Sequence, residues 1–574
     1  MMYVNVLYVF IFLCDAAVHS ARILGIMQIP CYSHQTLLRP LWKELLQRGH
    51  HVTLLTTEPM NDSLFTNLTE INISKNTGKD LNFFELIDEP IWKLHYVFSQ
   101  LSDKWVDGQL SNPNVEELIN NPKEHFDLLI IEGFHSAHYA FAIRFNCPII
   151  SVITLEASAL VHYEIGNPTH YALYSDYNLG FPKQLTFSQR LQGLFYHVYF
   201  LVLHNYHTIP LQEMLVKKHF GNNYPPIPDI FKNFSVFFLN TNRILHPARP
   251  LLPNVVEIWG KLLITENKAL SKELQNMLDR SVQGVIYFSL GSIVKSKQMS
   301  KENLQSIIDA FKELPYTVLW KFEDEDFPNK PDNVIISKWF PQQDVLRHPN
   351  VKLFITQGGV HSFEEALDAN VPLLGIPVMG DQHTNVQQIA HKGLGVMLEY
   401  KSITKETLKS AIMEVIHNPK YKDTIKLYAE LATDQFQTGL ERAVWWTEYV
   451  LRHKGVPHLR NPAYDFPFYQ YYSLDLIGFC LRHPNIILFI TQGGLQSFEQ
   501  ALEAQVPLLG IPILGDQKSN VQRIANKGLG IMLGYKSITK YTFKSAILEV
   551  VTNPKYRQTV KMYAEPLTGL QRAI

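Results

Sequence analysis

The chain has 574 residues, and its 52 Lys and Arg side chains against 53 Asp and Glu side chains leave a formal net charge of −1. A balance this close to neutral argues against a nucleic-acid-binding protein, which needs a basic surface to contact phosphate groups. A hydrophobic share of 46% excludes a disordered chain, and the 4 scattered cysteines are too few for a disulfide scaffold or a zinc site.

The beginning of the chain has the pattern of a secretory signal. An apolar run over Val6–Val18 is too short to span a bilayer comfortably and is followed by small residues. We predict a cleaved signal peptide over residues 1–20. An uncleaved anchor is the alternative, because no Lys or Arg precedes the apolar run. Four sequons predict N-glycosylation in a secretory lumen, at Asn61, Asn67, Asn72 and Asn233.

The next 150 residues alternate between strand and helix patterns. An apolar run at Arg22–Pro30, helical spacing over Ser33–Arg48 and a strand at His51–Thr57 predict a βαβ unit. A second unit is predicted from a strand, a helix and a strand at Asp127–Ile131, Ala137–Phe145 and Pro148–Thr154.

A similar series begins after two Pro-rich stretches, residues 225–228 and 246–250, which we interpret as the interdomain linker. Its predicted elements are a strand at Val285–Leu290, a helix at Lys301–Leu314 and strands at Tyr316–Phe322 and Asn333–Trp339. The predicted fold class is α/β, with two Rossmann-like, doubly wound domains that face each other over residues 21–245 and 255–445. Ligands are expected at the carboxyl ends of the strands.

Part of the second domain is repeated. Leu346–Glu430 recurs as Leu481–Glu565, and 61 of the 85 positions are identical. Two copies of a long unit indicate a partial duplication, predicted over residues 481–574, and not a solenoid. The second copy has Gln500 at the position of Glu365 in the first copy. The residues before the second copy also contain no tryptophan that corresponds to Trp339.

A glycine pair in the repeated segment predicts an anion site. The strand Phe354–Gln357 runs into Gly358 and Gly359, which open a helix predicted over His361–Ala369. Glycines let backbone N–H groups approach an anion, and a helix N-terminus favours negative charge, so a phosphate fits there. Ser362 adds a hydroxyl donor.

Polar side chains that follow predict a polyol site beside the phosphate. Glu365 lies one turn into the helix, and Asp381 and Gln382 come together after the next strand. Adjacent hydroxyl groups need acceptors and donors together, which a carboxylate and an amide supply. The alternative for Asp381 is a simple cap of the following helix.

These motifs resemble those of the UDP-glycosyltransferases of the GT-B fold, of the membrane-bound animal and insect-like type. The likeness extends from about Arg22 to Tyr472 and is carried by the segments Phe354–Gln382, Tyr287–Ser292 and Trp339–Gln342. The resemblance implies a UDP-sugar as co-substrate and no further cofactor or metal. It also implies the binding roles: Trp339 stacks on uracil, Gln342 and Glu365 hold the ribose, Ser292, Gln357 and Ser362 contact the diphosphate, and Asp381 and Gln382 bind the donor sugar. Gln357 replaces a His of many relatives but is still a neutral donor. The alternative for Trp339 is a core aromatic.

The resemblance further implies a catalytic base in the first domain. His34 stands at the first βα turn, and Glu132, where many relatives have Asp, would orient it. The implied reaction is transfer of a hexose, glucose or glucuronate, from UDP to a hydroxyl of a small lipophilic acceptor with inversion. A purely structural histidine is the alternative.

The family resemblance also implies membrane association and a location in the endoplasmic reticulum lumen. Residues 446–480 resemble a truncated approach to a membrane anchor, and no later stretch supplies about 20 apolar residues. Two other functions stay open: a sugar-nucleotide epimerase or hydrolase of the same fold, and a catalytically impaired binding protein. The aromatic stretch Leu194–Tyr206 favours a transferase, because it predicts a lipophilic acceptor pocket.

Overall fold

The structure is a computed structural model that describes residues 20–74, 82–170, 173–181, 184–260, 269–324, 327, 329–466, 470, 483, 485–513 and 516–570. The chain divides into two compact units, Met1–Asn461 and Pro462–Ile574. The predicted signal peptide, except for its last residue, lies outside the described residues.

The first domain of the larger unit is built on a parallel sheet. Seven described strands lie in the order β3-β2-β1-β4-β5-β6-β7. They are β1 (Arg22–Ile26), β2 (His51–Thr56), β3 (Leu68–Asn72), β4 (Leu128–Glu132), β5 (Ile149–Ile153), β6 (Phe234–Leu239) and β7 (Val255–Glu257). Central strands such as β4 and β5 are buried along their whole length, as expected for a sheet covered by helices on both faces.

Helices join these strands. They are α1 (Tyr32–Leu37), α2 (Arg39–Gln47), α3 (Ile91–Leu110), α4 (Pro113–Asn120), α5 (Ala140–Phe145), α6 (Ala159–Ile165), α7 (Phe187–Leu203), α8 (Ile209–Phe220) and α9 (Ile227–Phe231). Short 3₁₀ turns lie at Phe83–Leu86, Ser136–Tyr139 and Tyr177–Leu179, and a π-helical segment at His204–Thr208.

The helix predicted over Ser33–Arg48 is in fact two helices, α1 and α2. The break is at Leu38, which has φ −91° and ψ 1°. Pro40 explains it, because proline has no N–H to donate and its ring collides with the carbonyl four residues earlier. Proline is well tolerated in the first turn of a helix, where α2 places it.

The first domain extends beyond the predicted end at residue 245. Strand β7 pairs in parallel with β6 through Phe237 and Val255, so the second Pro-rich stretch lies between two strands of one sheet. The first Pro-rich stretch leads into α9, whose Ile227 and Ile230 are buried in the domain core. Proline content alone misplaced the linker because proline also suits the first turn of a helix.

The second domain has a smaller parallel sheet, in the order β10-β9-β8-β11-β12-β13. Its strands are β8 (Val285–Ser289), β9 (Thr317–Lys321), β10 (Val334–Ser337), β11 (Val351–Thr356), β12 (Leu373–Gly375) and β13 (Gly395–Met397). Its helices are α10 (Lys272–Arg280), α11 (Lys301–Lys312), α12 (Gln342–Leu346), α13 (Val360–Asp368), α14 (Gln382–His391), α15 (Lys405–His417) and α16 (Pro419–Thr433), with 3₁₀ turns at Ser296–Gln298 and Tyr400–Ser402.

A last helix, α17 (Gly439–His453), returns to the first domain and packs on α2, β6 and β7. Val450 on this helix and Val456 after it are buried in the core beneath the first sheet. The segment predicted over residues 446–480 therefore begins inside a packed helix, and its residues 467–469 and 471–480 lie outside the described residues. No helix in the described part of the chain is long and apolar enough to cross a membrane.

Both sheets of the larger unit have a point where the strand order reverses. In the first sheet it lies between β1 and β4, and in the second between β8 and β11. The loops after these strands diverge to opposite faces of the sheet and leave a crevice, which is where open α/β sheets bind ligands.

The smaller unit repeats half of the second domain. Its described strands β14 (Phe489–Thr491), β15 (Leu508–Gly510) and β16 (Gly530–Met532) correspond to β11, β12 and β13. Its helices are α18 (Leu495–Glu503), α19 (Gln517–Asn526), α20 (Lys540–Thr552) and α21 (Pro554–Leu570), with 3₁₀ turns at Pro462–Asp465 and Tyr535–Ser537. A further 3₁₀ turn, Pro457–Leu459, ends the larger unit.

Candidate functional site

His34 and Glu132 form a buried pair at the strand reversal of the first sheet. His34 lies in α1, just after β1, and Glu132 is the last residue of β4, the neighbour of β1. The two parallel strands end at the same edge, so His34 Nδ1 comes within 2.6 Å of Glu132 Oε1. His34 is 7% exposed and Glu132 is fully buried.

Glu132 is held in place by three further donors. Its Oε2 accepts hydrogen bonds from the backbone N–H groups of Gln28 (2.9 Å) and Ile29 (2.8 Å). The Thr154 hydroxyl donates to Oε1 at 2.9 Å and lies 2.7 Å from His34 Nδ1. Thr154 is not among the residues predicted from the sequence, although its place directly after β5 is a usable signal, because β5 is the next strand in the sheet.

The environment of His34 favours its charged form. Burial of the imidazole lowers its pKa, but the charge and hydrogen bond of Glu132 outweigh this effect and raise the pKa to about 9. His34 therefore carries a proton at neutral pH, and it becomes a proton acceptor only after that proton is lost.

Trp339 is a surface aromatic in the second domain. It follows β10, and half of the side chain is exposed. Its described ring contact is a T-shaped one with Tyr32, with centroids 4.6 Å apart. The alternative of a core aromatic is excluded, because half of the side chain is exposed and could stack on a ligand.

The two residues predicted to hold the ribose contact each other. Gln342 Nε2 donates to Glu365 Oε2 at 2.5 Å and to Ser362 Oγ at 3.3 Å. Gln343 Nε2 donates to the other carboxylate oxygen of Glu365 at 3.0 Å. Burial raises the pKa of Glu365, and the hydrogen bonds from these glutamines act in the opposite direction.

The loop between β11 and α13 requires glycine for two reasons. Gly358 has φ +89°, and a Cβ there would lie 2.2 Å from Val386 Cγ2. Gly359 precedes α13, which has no side-chain cap, so the first N–H groups of this helix face the loop. Gln357 lies against Gly291, where a Cβ would lie 2.3 Å from Gln357 Nε2.

Asp381 stands at the N-cap position of α14 but makes no capping hydrogen bond. Its Oδ2 instead accepts from Asn385 Nδ2 at 2.8 Å, so the simple cap is excluded. Burial raises the pKa of Asp381. Gln382 uses its amide oxygen on the backbone N–H groups of Val378 and Met379, which leaves its amide nitrogen for a ligand.

The pair of His34 and Glu132 and the donor-site residues lie on facing surfaces of the larger unit. Cys31 Sγ is 3.7 Å from Ser292 Oγ, and the Tyr32 ring meets Trp339. His361 in α13 interacts with the Thr154 backbone, and burial, with a further contribution from His34, lowers its pKa to about 3. All ten predicted donor-site residues thus border the loops after β8, β10, β11 and β12, opposite His34.

Comparison with known proteins identifies the family. The family described as "UDP-glucoronosyl and UDP-glucosyl transferase" matches residues 25–482 and, a second time, residues 480–565. The chain is 33% identical over 487 residues to UDP-glycosyltransferase UGT5 of Dactylopius coccus, which covers 83% of this chain and 91% of the relative. It is 34% identical over 470 residues to UDP-glucosyltransferase 2 of the same species, with 81% and 90% covered.

The chain belongs to this UDP-glycosyltransferase family. The second match confirms that the end of the chain copies part of the family's domain. The fold is confirmed independently, because the crystal structure of the glycotransferase of kitacinnamycin superimposes with a TM-score of 0.51 at 14% identity. That alignment covers 75% of this chain and 100% of the other. The UDP-glycosyltransferase therefore has the predicted GT-B architecture of two facing Rossmann-like domains.

The aromatic stretch predicted to line an acceptor pocket lies on α7 and the π-helical segment that follows it. Along α7, Phe195, Val198 and Val202 are 58%, 48% and 52% exposed, while Tyr196 is buried. Helical periodicity alone could not show which face of α7 meets the core, because both faces carry apolar residues.

Proposed function

We propose that this protein transfers a hexose from a UDP-sugar to a hydroxyl group of small lipophilic acceptors, with inversion at the anomeric carbon. The observation that carries the proposal is the buried pair of His34 and Glu132 opposite the donor-site residues. An imidazole held by a carboxylate is a suitable general base for a hydroxyl nucleophile.

In the proposed reaction, neutral His34 accepts the proton of the acceptor hydroxyl. The hydroxyl oxygen forms a bond to the anomeric carbon while the bond from that carbon to the diphosphate oxygen breaks. UDP leaves with the electron pair, and the N–H groups at the start of α13 and the Gln357 amide stabilise its charge. Glu132 stabilises the imidazolium that forms.

The nature of the donor site favours a neutral hexose, which we propose is glucose. The donor-site residues named above include neither Lys nor Arg, whereas the carboxylate of a hexuronic acid would call for a cation. Asp381 instead offers a buried carboxylate, which suits hydroxyl donors. The relative UDP-glucosyltransferase 2 is named for glucose. We propose no further cofactor, since UDP is the leaving group and needs no redox chemistry.

We further propose that the protein works in the secretory pathway, in the endoplasmic reticulum lumen, as a glycoprotein whose signal peptide is removed. The apolar run before residue 20 and the four sequons support this location. The exposed apolar side chains of α7 support association with a membrane surface, where lipophilic acceptors concentrate.

The test is UDP release from UDP-glucose, measured with and without a phenolic acceptor. We expect release to depend on the acceptor, and His34→Ala to abolish it while UDP affinity stays within about twofold, because the base lies on the other domain. Release without acceptor would indicate a hydrolase, and an isomerised sugar an epimerase. Wild-type turnover by His34→Ala would contradict the assigned base.

A further inference from the structure

A chain of buried polar side chains connects the donor site to the first domain. Glu156 follows β5, His246 lies between β6 and β7, and Asn385 belongs to α14. Their exposed fractions are 8%, 7% and 1%. Glu156 Oε2 is 3.2 Å from His246 Nδ1, and His246 Nε2 is 3.4 Å from Asn385 Oδ1.

Asn385 is the link to the donor site. Its Nδ2 donates to Asp381 Oδ2 at 2.8 Å and to the Gly358 carbonyl at 3.0 Å. Because both of these partners are acceptors, the amide nitrogen must face them and the amide oxygen must face away. The oxygen then needs a donor, and His246 Nε2 is the group in reach.

His246 is oriented to be that donor. The backbone N–H of Asn242 donates to His246 Nδ1 at 2.9 Å, which leaves the proton of a neutral imidazole on Nε2. The Glu156 carboxylate lies beside Nδ1, with Oε2 at 3.2 Å. Burial acts to raise the pKa of Glu156, but His246, His162 and Arg249 together lower it to about 2. Glu156 is therefore charged at neutral pH.

We propose that His246 and Asn385 are positioning residues that orient the Asp381 carboxylate toward the donor hexose. This inference rests on the proposed function, since it assigns Asp381 to the sugar. Of the groups assigned to UDP, Gly358 contacts Asn385 through its carbonyl, which is not a donor to phosphate, whereas Trp339, Gln342 and the N–H groups of α13 lie outside these contacts. Loss of a link should therefore weaken binding of the hexose and spare binding of UDP.

The experiment compares the affinities of UDP and UDP-glucose for the full chain by calorimetry. We expect His246→Leu and Asn385→Ala each to weaken UDP-glucose binding about tenfold, the loss typical of one hydrogen bond to a charged group, with UDP affinity within about twofold. His246→Gln should restore part of the loss, because a glutamine amide can donate to Asn385.

The second copy supplies a matched control. Asn520 Nδ2 donates to Asp516 Oδ2 at 2.9 Å and to the Gly493 carbonyl at 3.2 Å, which repeats the geometry of Asn385. We expect Asn520→Ala to leave both affinities unchanged.

Three results would overturn the proposal. Equal losses of UDP and UDP-glucose affinity would show that His246 and Asn385 only support the fold. Unchanged affinities in His246→Leu and Asn385→Ala would show that Asp381 does not need them, while the proposed function would stand. Failure of the wild-type protein to bind UDP-glucose would contradict the proposed function itself, and the positioning role with it.

Discussion

The charge of His34 depends mainly on the neighbouring Glu132 carboxylate, with smaller contributions from Cys31 and Asp381. Glu132 has four donors around its two oxygens, namely the imidazole, the Thr154 hydroxyl and two backbone N–H groups. They fix the position of the carboxylate, whose charge and hydrogen bond raise the pKa of His34 and so favour the protonated imidazole. A general base must be deprotonated to act, so activity should rise with pH toward the His34 pKa of about 9.

Glu132→Gln is predicted to change both the rate and its pH dependence. The amide keeps the shape but removes the negative charge, so burial outweighs the smaller contributions of Cys31 and Asp381, and the pKa of His34 falls. We expect the rising limb of kcat/KM to move to lower pH, and the limiting rate to fall about 10- to 1000-fold because the base is weaker and poorly oriented. Steady-state kinetics across a pH series measure both effects.

Glu132→Asp is the matched control, because it retains the carboxylate. We therefore expect the rising limb of kcat/KM to stay at high pH in this variant. If Glu132→Gln lowers stability but leaves the pH profile and specific activity of folded protein unchanged, Glu132 is a structural carboxylate only.

At the scale of secondary-structure elements, the strand-to-helix loops have the same conformation in both copies. Gly358 has φ +89° before α13, and Gly493 has φ +94° before α18. A Cβ at either position would lie 2.2 Å from a valine methyl group, that of Val386 or Val521. Identical local sequence therefore produces the same loop, whether or not the rest of a donor site surrounds it.

Gly358→Ala is predicted to lower UDP affinity at least about tenfold. The positive φ costs an alanine roughly 1–2 kcal/mol, and the collision with Val386 shifts the N–H groups of α13 that would face the diphosphate. Calorimetric titration with UDP measures the effect. Gly493→Ala imposes the same strain in the second copy and should leave UDP affinity unchanged; equal losses in both variants would contradict this placement of the diphosphate.

At the scale of the whole molecule, the second copy is predicted to bind no UDP. It retains Asp516 and Gln517, but Gln500 replaces Glu365 and its described sheet has three strands, with no counterpart of β8 or of Trp339. We expect one UDP per chain by calorimetry. Asp381→Ala should abolish hexose transfer and Asp516→Ala should have no effect, so two equivalent UDP sites, or loss of activity in Asp516→Ala, would refute this prediction.

The second copy also exposes apolar side chains that the first copy buries. Ile490 is 42% exposed, whereas its counterpart Ile355 is fully buried in a core that includes residues of β8 and α11. Tyr535 is 64% exposed and its counterpart Tyr400 is 8% exposed. An apolar face next to an unpaired strand edge promotes self-association.

Ile490→Lys is accordingly predicted to reduce self-association without changing UDP affinity, as measured by light scattering of the full chain. Ile355→Lys, the matched change in the first copy, buries a charge and should unfold the larger unit or destabilise it by several kcal/mol. Equal tolerance of the two changes would show that the two positions do not differ in burial.

Much of the fold and of the site could be predicted from sequence because the underlying signals are local. Short apolar runs located β1, β2, β4, β5 and β8 to β11, helical spacing located some of the helices, and the motif around Gly358 located the donor loop. The polar network could not be predicted in this way. Thr154, His246 and Asn385 are far apart in sequence, and only the strand order of the first sheet and the return of the chain between β6 and β7 bring them to the site.

The two copies show which features a short segment produces wherever it stands and which depend on its neighbours in the fold. Thr404 and Thr539 each begin a helix with a capping box, and both copies form the same three parallel strands, because hydrogen bonding and side-chain sterics within short segments determine these features. The burial of a side chain is not determined within its own segment. Ile355 and Ile490 stand in the same local sequence, but only Ile355 has the strand β8 beside it, so the neighbours that exclude water decide which isoleucine becomes core.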